Sequence, residues 1–221
     1  MNKPSPAGIL SHKNTWIFDL DNTLYPPACK LFDQIAERMN EYIMAHMKVG
    51  REAAITLRHV YFKKYGTTLR GLMLEHGWAP EPYLDYVHEI DYDAVKLHPE
   101  LTGALARLPG RKLVFTAGTR AHARNVLNNL GCAGMFEDIF DISDAQFIPK
   151  PNAKPYDLFL KHHGITPQSS IFFEDISDNL IVPRAMGMTT VLVGDADAAL
   201  LPAHIDYVTT DLAQFLNGAL T

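Results

Sequence analysis

Cysteine is scarce in this sequence, and the two that occur define no framework. Cys29 and Cys132 lie far apart, in no CxxC or metal-ligand spacing. They read as free thiols of a reducing cytoplasm, not as a disulfide or a zinc centre. Histidine is not short, but HExxH and HxxxH patterns are absent. His46, His59, His76, His88, His162 and His163 show no ligand pairing, so no zinc site is expected. Long apolar runs are missing too: no window approaches the roughly 18 uninterrupted apolar residues of a membrane span. No Lys/Arg run is long enough to track a nucleic-acid backbone. The net charge is −5, so attraction for an anionic substrate must be local to a site. The first 14 residues, MNKPSPAGILSHKN, lack the apolar stretch of a leader and read as a short disordered lead-in. The rest is ordinary for a soluble globular chain: one domain with a sizeable core, or a core plus a small insertion.

Thr15 to Leu20 (TWIFDL) reads as a short buried strand that ends abruptly in Asp21, Asn22 and Thr23. Tyr25-Pro26-Pro27 stops any continuation. From Lys30 to Val95 the strand signal disappears. Leu31, Ile35, Met39, Tyr42 and Ile43 recur at helical spacing, as do Ala54, Leu57, Val60 and Tyr61. Gly66 ends a helix and Thr67-Thr68 can cap the next, while Gly77 and Pro80 punctuate again. After His98-Pro99 strands and helices alternate. Strands are expected at Lys112 to Ala117, Asp138 to Ile142, Ser170 to Glu174, Thr189 to Val193 and Tyr207-Val208. Helices are expected at Glu100 to Leu108, Ala121 to Leu130, Tyr156 to His163, onward from Glu174 to Met186, and at the C-terminus. Strands in alternation with helices imply an α/β fold with a parallel sheet. Their lack of polar alternation implies burial on both faces.

Ligands of such sheets bind beyond the carboxyl ends of the strands. The first strand ends in Asp19-Leu20-Asp21, the second in Thr116, and the fourth in Glu174-Asp175; the loop after Phe147 carries Lys150. Each has a plain structural use when taken alone. A DxD is often an Asx turn, a Glu-Asp pair a helix N-cap, a Lys before Pro a solvated loop residue. Four in this order, each at a strand or loop end, are poorly explained by coincidence. Asp19 and Asp21 point to the same side of extended chain. One carboxylate can attack phosphorus while the other handles the leaving oxygen's proton. Two carboxylates so close need a cation. Mg²⁺ prefers such oxygen ligands, and Asp175 is the natural further one, with Glu174 beside it. Lys150 would neutralise charge on nucleophile and phosphoryl group. The Thr116 hydroxyl and nearby backbone N–H groups would donate to the equatorial oxygens.

FDLDNTLYP (Phe18 to Pro26), VFTAG (Val114 to Gly118), PKPNAKPY (Pro149 to Tyr156) and FFEDISDN (Phe172 to Asn179) resemble the four ordered motifs of the haloacid dehalogenase superfamily. The resemblance spans about residues 15 to 195, and the helical insertion is similar to the small α-helical cap of that superfamily's first subclass. It implies a Rossmann-like core (15–25 and 96–221) with a cap (26–95) inserted after the first strand, over the site. It implies Asp19 as nucleophile and Asp21 as general acid and then base. It implies Mg²⁺ on Asp19, the backbone carbonyl of Asp21, and Asp175, with Glu174 and Asn179 behind them. Thr116, Ala117, Gly118 and Lys150 would hold the substrate phosphate. Members that cleave carbon–halogen bonds lack an aspartate two after the nucleophile, so Asp21 favours phosphate chemistry. The chain looks most like the pyrimidine 5′-nucleotidase branch, which makes a nucleoside monophosphate, UMP or CMP, the leading substrate of a cytoplasmic enzyme. A phosphatase of sugar phosphates or pyridoxal phosphate, a phosphomutase, and a non-catalytic binding protein are the alternatives.

The sequence departs from the pattern in places. Ala117 stands where many relatives have Asn, and Gly118 is expected to let backbone N–H groups approach the phosphate instead. Asn179 stands where an Asp is usual, and Asp178 is one position early. Lys154 competes with Lys150, but only Lys150 sets Tyr156 at the motif's aromatic spacing. Arg120 and His122 read as a solvated helix start, with substrate contact as the alternative. The cap aromatics Tyr42, Tyr61, Phe62, Tyr65 and Trp78 read mainly as core, with base stacking as the alternative.

Overall fold

The computed structural model describes residues 10–197 and 200–219. The chain enters strand β1 (Thr15–Phe18) and then runs through helices α1 (Leu31–Met47), α2 (Arg51–Tyr65), α3 (Thr68–His76) and α4 (Pro80–Val87). It returns through α5 (Pro99–Arg107), β2 (Arg111–Phe115), α6 (Arg120–Leu130), β3 (Asp138–Phe140), α7 (Ala153–His163) and β4 (Ser170–Glu174). Helix α8 (Ile181–Ala185), β5 (Thr189–Val193), β6 (Tyr207–Thr209) and α9 (Leu212–Ala219) complete it. The strands form one parallel sheet in the order β3-β2-β1-β4-β5-β6. This is a Rossmann-like α/β fold.

Every residue of β1, β4 and β5 is buried, as expected for strands covered on both faces. Side chains alternate between two cores. Trp16, Phe18, Val114, Ile171 and Phe173 pack on one face, and Ile17, Leu113, Phe115 and Phe172 on the other. Phe18 stacks on Phe173 with ring centroids 4.7 Å apart. The four helices after β1 enclose a third core, including Ile35, Tyr42, Ile43, Ala54, Tyr61, Leu72 and Tyr83, which also takes in Ile142 just beyond β3.

Helix ends in this block follow local chemistry. Gly66 closes α2 at φ 85° and Gly77 closes α3 at φ 66°, a left-handed turn that glycine adopts without steric cost. The Thr67 hydroxyl accepts the backbone N–H of Arg70 and starts α3. Tyr42 and Tyr61 are core, as read from their spacing, whereas Phe62 is half exposed. Its position one residue beyond Tyr61 turns it off the buried stripe.

Several boundaries differ from the sequence reading. Strands β1, β2 and β3 end at Phe18, Phe115 and Phe140, each two residues short of expectation. Beyond those points the chain turns: Thr23 and Leu24 donate their N–H groups back to Leu20, and Gly118 donates to the Thr116 hydroxyl. Helix α7 starts three residues early, at Ala153, because Pro155 sits in the first turn where its missing N–H is harmless. A 3₁₀ stretch, Ser177–Leu180, precedes a short α8. Residues 1–9 of the expected lead-in lie outside the described residues. Residues 10–14 do not fit that reading: Leu10–His12 make a 3₁₀ turn and Leu10 is buried in the core, where its apolar side chain is removed from water.

Helices α2 and α3 touch where Gly71 meets Tyr61. A Cβ at residue 71 would fall 2.4 Å from the Tyr61 ring. Gly71→Ala is therefore expected to destabilise the protein by about 1–3 kcal/mol through overpacking. Gly103 in α5 has open space, its nearest neighbour being the Arg107 guanidinium at 3.9 Å. Gly103→Ala is expected to stabilise by about 0.5–1 kcal/mol. Urea unfolding of the two variants beside the parent checks both signs.

Candidate active site

The sheet register brings three functional strand ends together. Phe18 pairs with Val114 on one side and Phe173 on the other, so the next residues, Asp19, Phe115 and Glu174, lie side by side. The Asp19 N–H donates to the Phe173 carbonyl at 2.9 Å, which extends the ladder one residue past β1. Lys150 reaches this row from the loop before α7. Its ammonium donates to Asp19 Oδ1 at 2.8 Å, Glu174 Oε2 at 2.6 Å and the Phe115 carbonyl at 3.1 Å. All three N–H bonds of the ammonium are thus spent. Lys154, the competing lysine, is exposed on α7.

Asp19, Glu174 and Asp175 each offer a carboxylate oxygen, and these lie within 4.8 Å of one another. One ammonium faces three carboxylates in a buried setting. Burial, then the nearby Glu174 charge, pushes Asp19 up to about 7 despite Lys150. Burial pushes Glu174 up to about 7 against the Lys150 charge. Burial and then Asp19 push Asp175 up to about 6. For Lys150 burial alone would lower the value, but Asp19 and Glu174 outweigh it and hold the ammonium above its ordinary range. One ammonium leaves the three carboxylates short of positive charge, and their ligand atoms are all oxygen, so a hard divalent cation fits the cluster.

Asp21 is held differently. Its Oδ1 accepts the Tyr25 hydroxyl at 2.7 Å and stands 2.7 Å from His122 Nε2. The other ring nitrogen, Nδ1, is 3.1 Å from the Tyr92 hydroxyl, and the His88 ring stacks on His122 with centroids 4.5 Å apart. Burial alone would raise Asp21, but the His122 charge and the His122 and Tyr25 hydrogen bonds outweigh it and lower its pKa. Burial and then His122 push His88 down to about 3. Two adjacent carboxylates therefore sit in opposite environments, a pattern typical of acid–base sites.

The second-strand residues are placed less simply. Thr116 is buried, and its hydroxyl oxygen accepts the Gly118 N–H at 2.9 Å. That N–H, expected to face a phosphate, is already engaged, because the turn after β2 closes on the threonine side chain. Ala117 and Gly118 line the cavity. Asn179 also lines it, and its backbone carbonyl accepts the Tyr156 hydroxyl at 2.7 Å. Asp178 is exposed at the rim.

The start of α6 is not the solvated one that its polarity suggested. His122 is fully buried against Asp21. Arg120 pairs with Asp138 at 2.5 Å and Asp144 at 2.9 Å, and its N–H caps onto Asp141. Carboxylates of β3 and the loop behind it explain Arg120, Asp21 beyond β1 explains His122, and all of them are out of view of local sequence. Thr23, whose hydroxyl donates to Asp19 Oδ2 at 3.0 Å, and Tyr25 also went unassigned. Each lies four residues after the carboxylate it holds, and that spacing was the available signal.

A cavity of about 1120 Å³ lies between the helical block and the strand ends. Asp19, Asp21, Lys150 and Asp175 form its floor, and Arg58, Phe62, Tyr65 and Arg70 are among the groups opposite. Among the described residues no helix is long and apolar enough to cross a membrane.

The family model described as haloacid dehalogenase-like hydrolase matches residues 14–187. Phosphate metabolism protein 8 of Saccharomyces cerevisiae is 25% identical over 207 residues, which cover 86% of this chain and 62% of that protein. The chain thus spans about three fifths of the curated relative it matches. Among solved structures, the haloacid dehalogenase-like family protein SP0104 of Streptococcus pneumoniae superposes with a TM-score of 0.63 at 17% identity, covering 94% of this chain and 98% of that one. The L-2-haloacid dehalogenase of Xanthobacter autotrophicus, with chloropropionic acid covalently bound, gives 0.56 at 17% identity, covering 93% and 97%. At these identities the structural likeness shows the fold alone.

The raised carboxylates make a pH-dependent expectation. Their folded pKa values exceed the unfolded ones near 4, so their contribution is fully present below that pH and is lost as pH rises through about 6–7. A divalent cation that relieves the repulsion should therefore raise the unfolding temperature more at about pH 8 than at about pH 5. Thermal unfolding in EDTA and in Mg²⁺ at both pH values checks this. An equal shift at both, or none, would count against the cluster as a cation site.

Proposed function

Because the chain belongs to the haloacid dehalogenase-like hydrolase family, we propose that it is a Mg²⁺-dependent phosphomonoester hydrolase working through a phosphorylated Asp19, with pyrimidine nucleoside 5′-monophosphates as leading substrates. The observation that carries phosphate chemistry over dehalogenation is Asp21. Its carboxylate lines the cavity beside Asp19, with Tyr25 and His122 both on Oδ1. A second carboxylate so deliberately oriented suits a reaction whose leaving alkoxide needs a proton. A departing halide needs none. The name of the yeast relative, with its reference to phosphate metabolism, points the same way.

In the first step a carboxylate oxygen of Asp19 attacks phosphorus, the ester P–O bond breaks, and Asp21 protonates the leaving alkoxide. In the second, Asp21 takes a proton from water as that water attacks the aspartyl phosphate, which frees Asp19 and inorganic phosphate. Tyr25 and His122 keep Asp21 anionic in the substrate-free site, which suits the base step. The approach of a phosphate dianion favours its protonated form and so suits the acid step. Lys150 and Thr23 each hold one oxygen of Asp19 and fix the nucleophile's plane. Asp19, the Asp21 backbone carbonyl and Asp175 would hold Mg²⁺, which when bound offsets charge developing on the phosphoryl group. Arg58, Lys63 and Arg70 along the cavity favour a second reading, a small phosphorylated metabolite with a further anionic group.

Phosphate release from UMP, CMP, dTMP, AMP, GMP, sugar phosphates and pyridoxal phosphate, with Mg²⁺ and with EDTA, decides between these. EDTA-sensitive release selective for UMP or CMP is expected. Release mainly from multiply anionic metabolites would favour the second reading. Halide release from 2-chloropropionate without any phosphatase activity would sink both. Asp19→Asn is expected to cost about 10⁴-fold or more in kcat, and Asp21→Asn about 10²–10⁴-fold.

A further inference from the structure

Away from the catalytic edge, three side chains meet that the chemistry above does not use. Asp138 opens β3, and Asp141 follows that strand's carboxyl end, about 10 Å further along at some 3.3 Å per residue. Helix α7 runs back against the sheet and ends in His162 and His163. Both reach the same carboxylate oxygen: His163 Nε2 lies 3.9 Å and His162 Nε2 4.0 Å from Asp138 Oδ2. One ligand atom from each of the three residues lies within 4.8 Å of the others.

His163 makes this cluster more than a neighbourhood of polar groups. Its side chain is only 5% exposed, and its Nε2 is buried with no hydrogen-bond partner. A distance of 3.9 Å is too long for a hydrogen bond to Asp138. Leaving such a nitrogen buried and unsatisfied is unfavourable. The carboxylate is meanwhile fixed from behind, since Arg120 holds Oδ1 at 2.5 Å and leaves Oδ2 turned to the histidines. Nearby charges are Arg111 paired with Glu137, and Arg120 shared between Asp138 and Asp144. Two guanidinium groups thus face three carboxylates. The carbonyl end of α7 adds further partial negative charge. With the ligand Asp138 counted, site and surroundings together carry one net negative charge, which favours a cation.

We propose that Asp138, His162 and His163 form a second metal site, for a divalent transition metal of the Zn²⁺ type, separate from the catalytic carboxylates. Two imidazoles and one carboxylate suit Zn²⁺, Co²⁺ or Ni²⁺ and are a poor set for Mg²⁺. Ligand atoms around tetrahedral zinc stand about 3.4 Å apart, so each histidine must close on Asp138 Oδ2 by about half an ångström from its 3.9 or 4.0 Å. His162, with 59% of its side chain exposed, is free to swing. A fourth position is left to solvent. The sequence carries no histidine spacing motif that points to zinc. The third ligand comes from a strand, and only the fold brings it to the consecutive histidines.

The test is a Co²⁺ titration of the full chain in a large excess of Mg²⁺, which occupies the oxygen site, followed by absorption of the cobalt d–d bands and by calorimetry. One equivalent with an intense tetrahedral or five-coordinate spectrum is expected, and Zn²⁺ should displace it. His162→Ala and His163→Gln should each weaken binding at least tenfold. His162 is exposed, so its variant is expected to keep the parent's unfolding temperature in EDTA, which separates lost ligation from lost folding. Absence of nitrogen-ligated cobalt in the parent, or equal affinity in parent and His162→Ala, would overturn the proposal. The second outcome would leave the trio as a surface ion-pair cluster at a helix end.

Discussion

The catalytic edge is organised around one buried ammonium. Lys150 donates to Asp19, Glu174 and the Phe115 carbonyl, so it touches the ends of β1, β2 and β4 at once. Without that charge, two carboxylates less than a hydrogen bond's reach from the same point would be forced apart or protonated. Its contribution is one of position more than net stability, since burying an ion pair costs much of what the attraction returns. The sheet register makes the arrangement possible, because it sets the three strand ends level before any side chain is chosen. The loop before α7 then has only to deliver a lysine to a point already fixed.

Around that centre the two aspartates are kept distinct by what surrounds them. Asp19 is crowded by acids and sits high, and Asp21 is held by Tyr25 and His122 and sits low. Neither environment is built from one segment. Tyr25 comes from the turn after β1, His122 from the start of α6, and the groups that support His122 from the end of the helical block. A hydrolase fold that hosts several chemistries can differ at this level while leaving its sheet unchanged.

Much of this was legible in the sequence because parallel sheets advertise themselves. Runs such as TWIF, SIFFE and TTVLV alternate with helical segments, and polar residues at their carboxyl ends mark the site edge. Asp19, Lys150, Glu174 and Asp175 could be grouped on that basis. Long-range partners could not. His122 reads as solvated because a helix start with arginine and histidine usually is, and nothing local reveals that Asp21 waits about a hundred positions upstream. Gly118 was assigned to a ligand because the Thr116 hydroxyl that claims its N–H is a two-residue turn, invisible to periodicity. The strand ends are overestimated for a related reason: Leu20, Ala117 and Ile142 continue the apolar pattern one residue after the chain has begun to turn.

The helical block leaves the sheet just after Asp19 and rejoins it just before α5, and its returning end carries His88 and Tyr92. Those two residues are the packing surface and hydrogen-bond partner of His122, which in turn grips Asp21. The helical block and the Asp21 carboxylate are therefore linked in series through His122. A shift of the helices changes what the imidazole leans on before it changes anything a substrate touches. On the proposed function, any movement of these helices over a bound molecule would reach the acid–base group through that single buried ring.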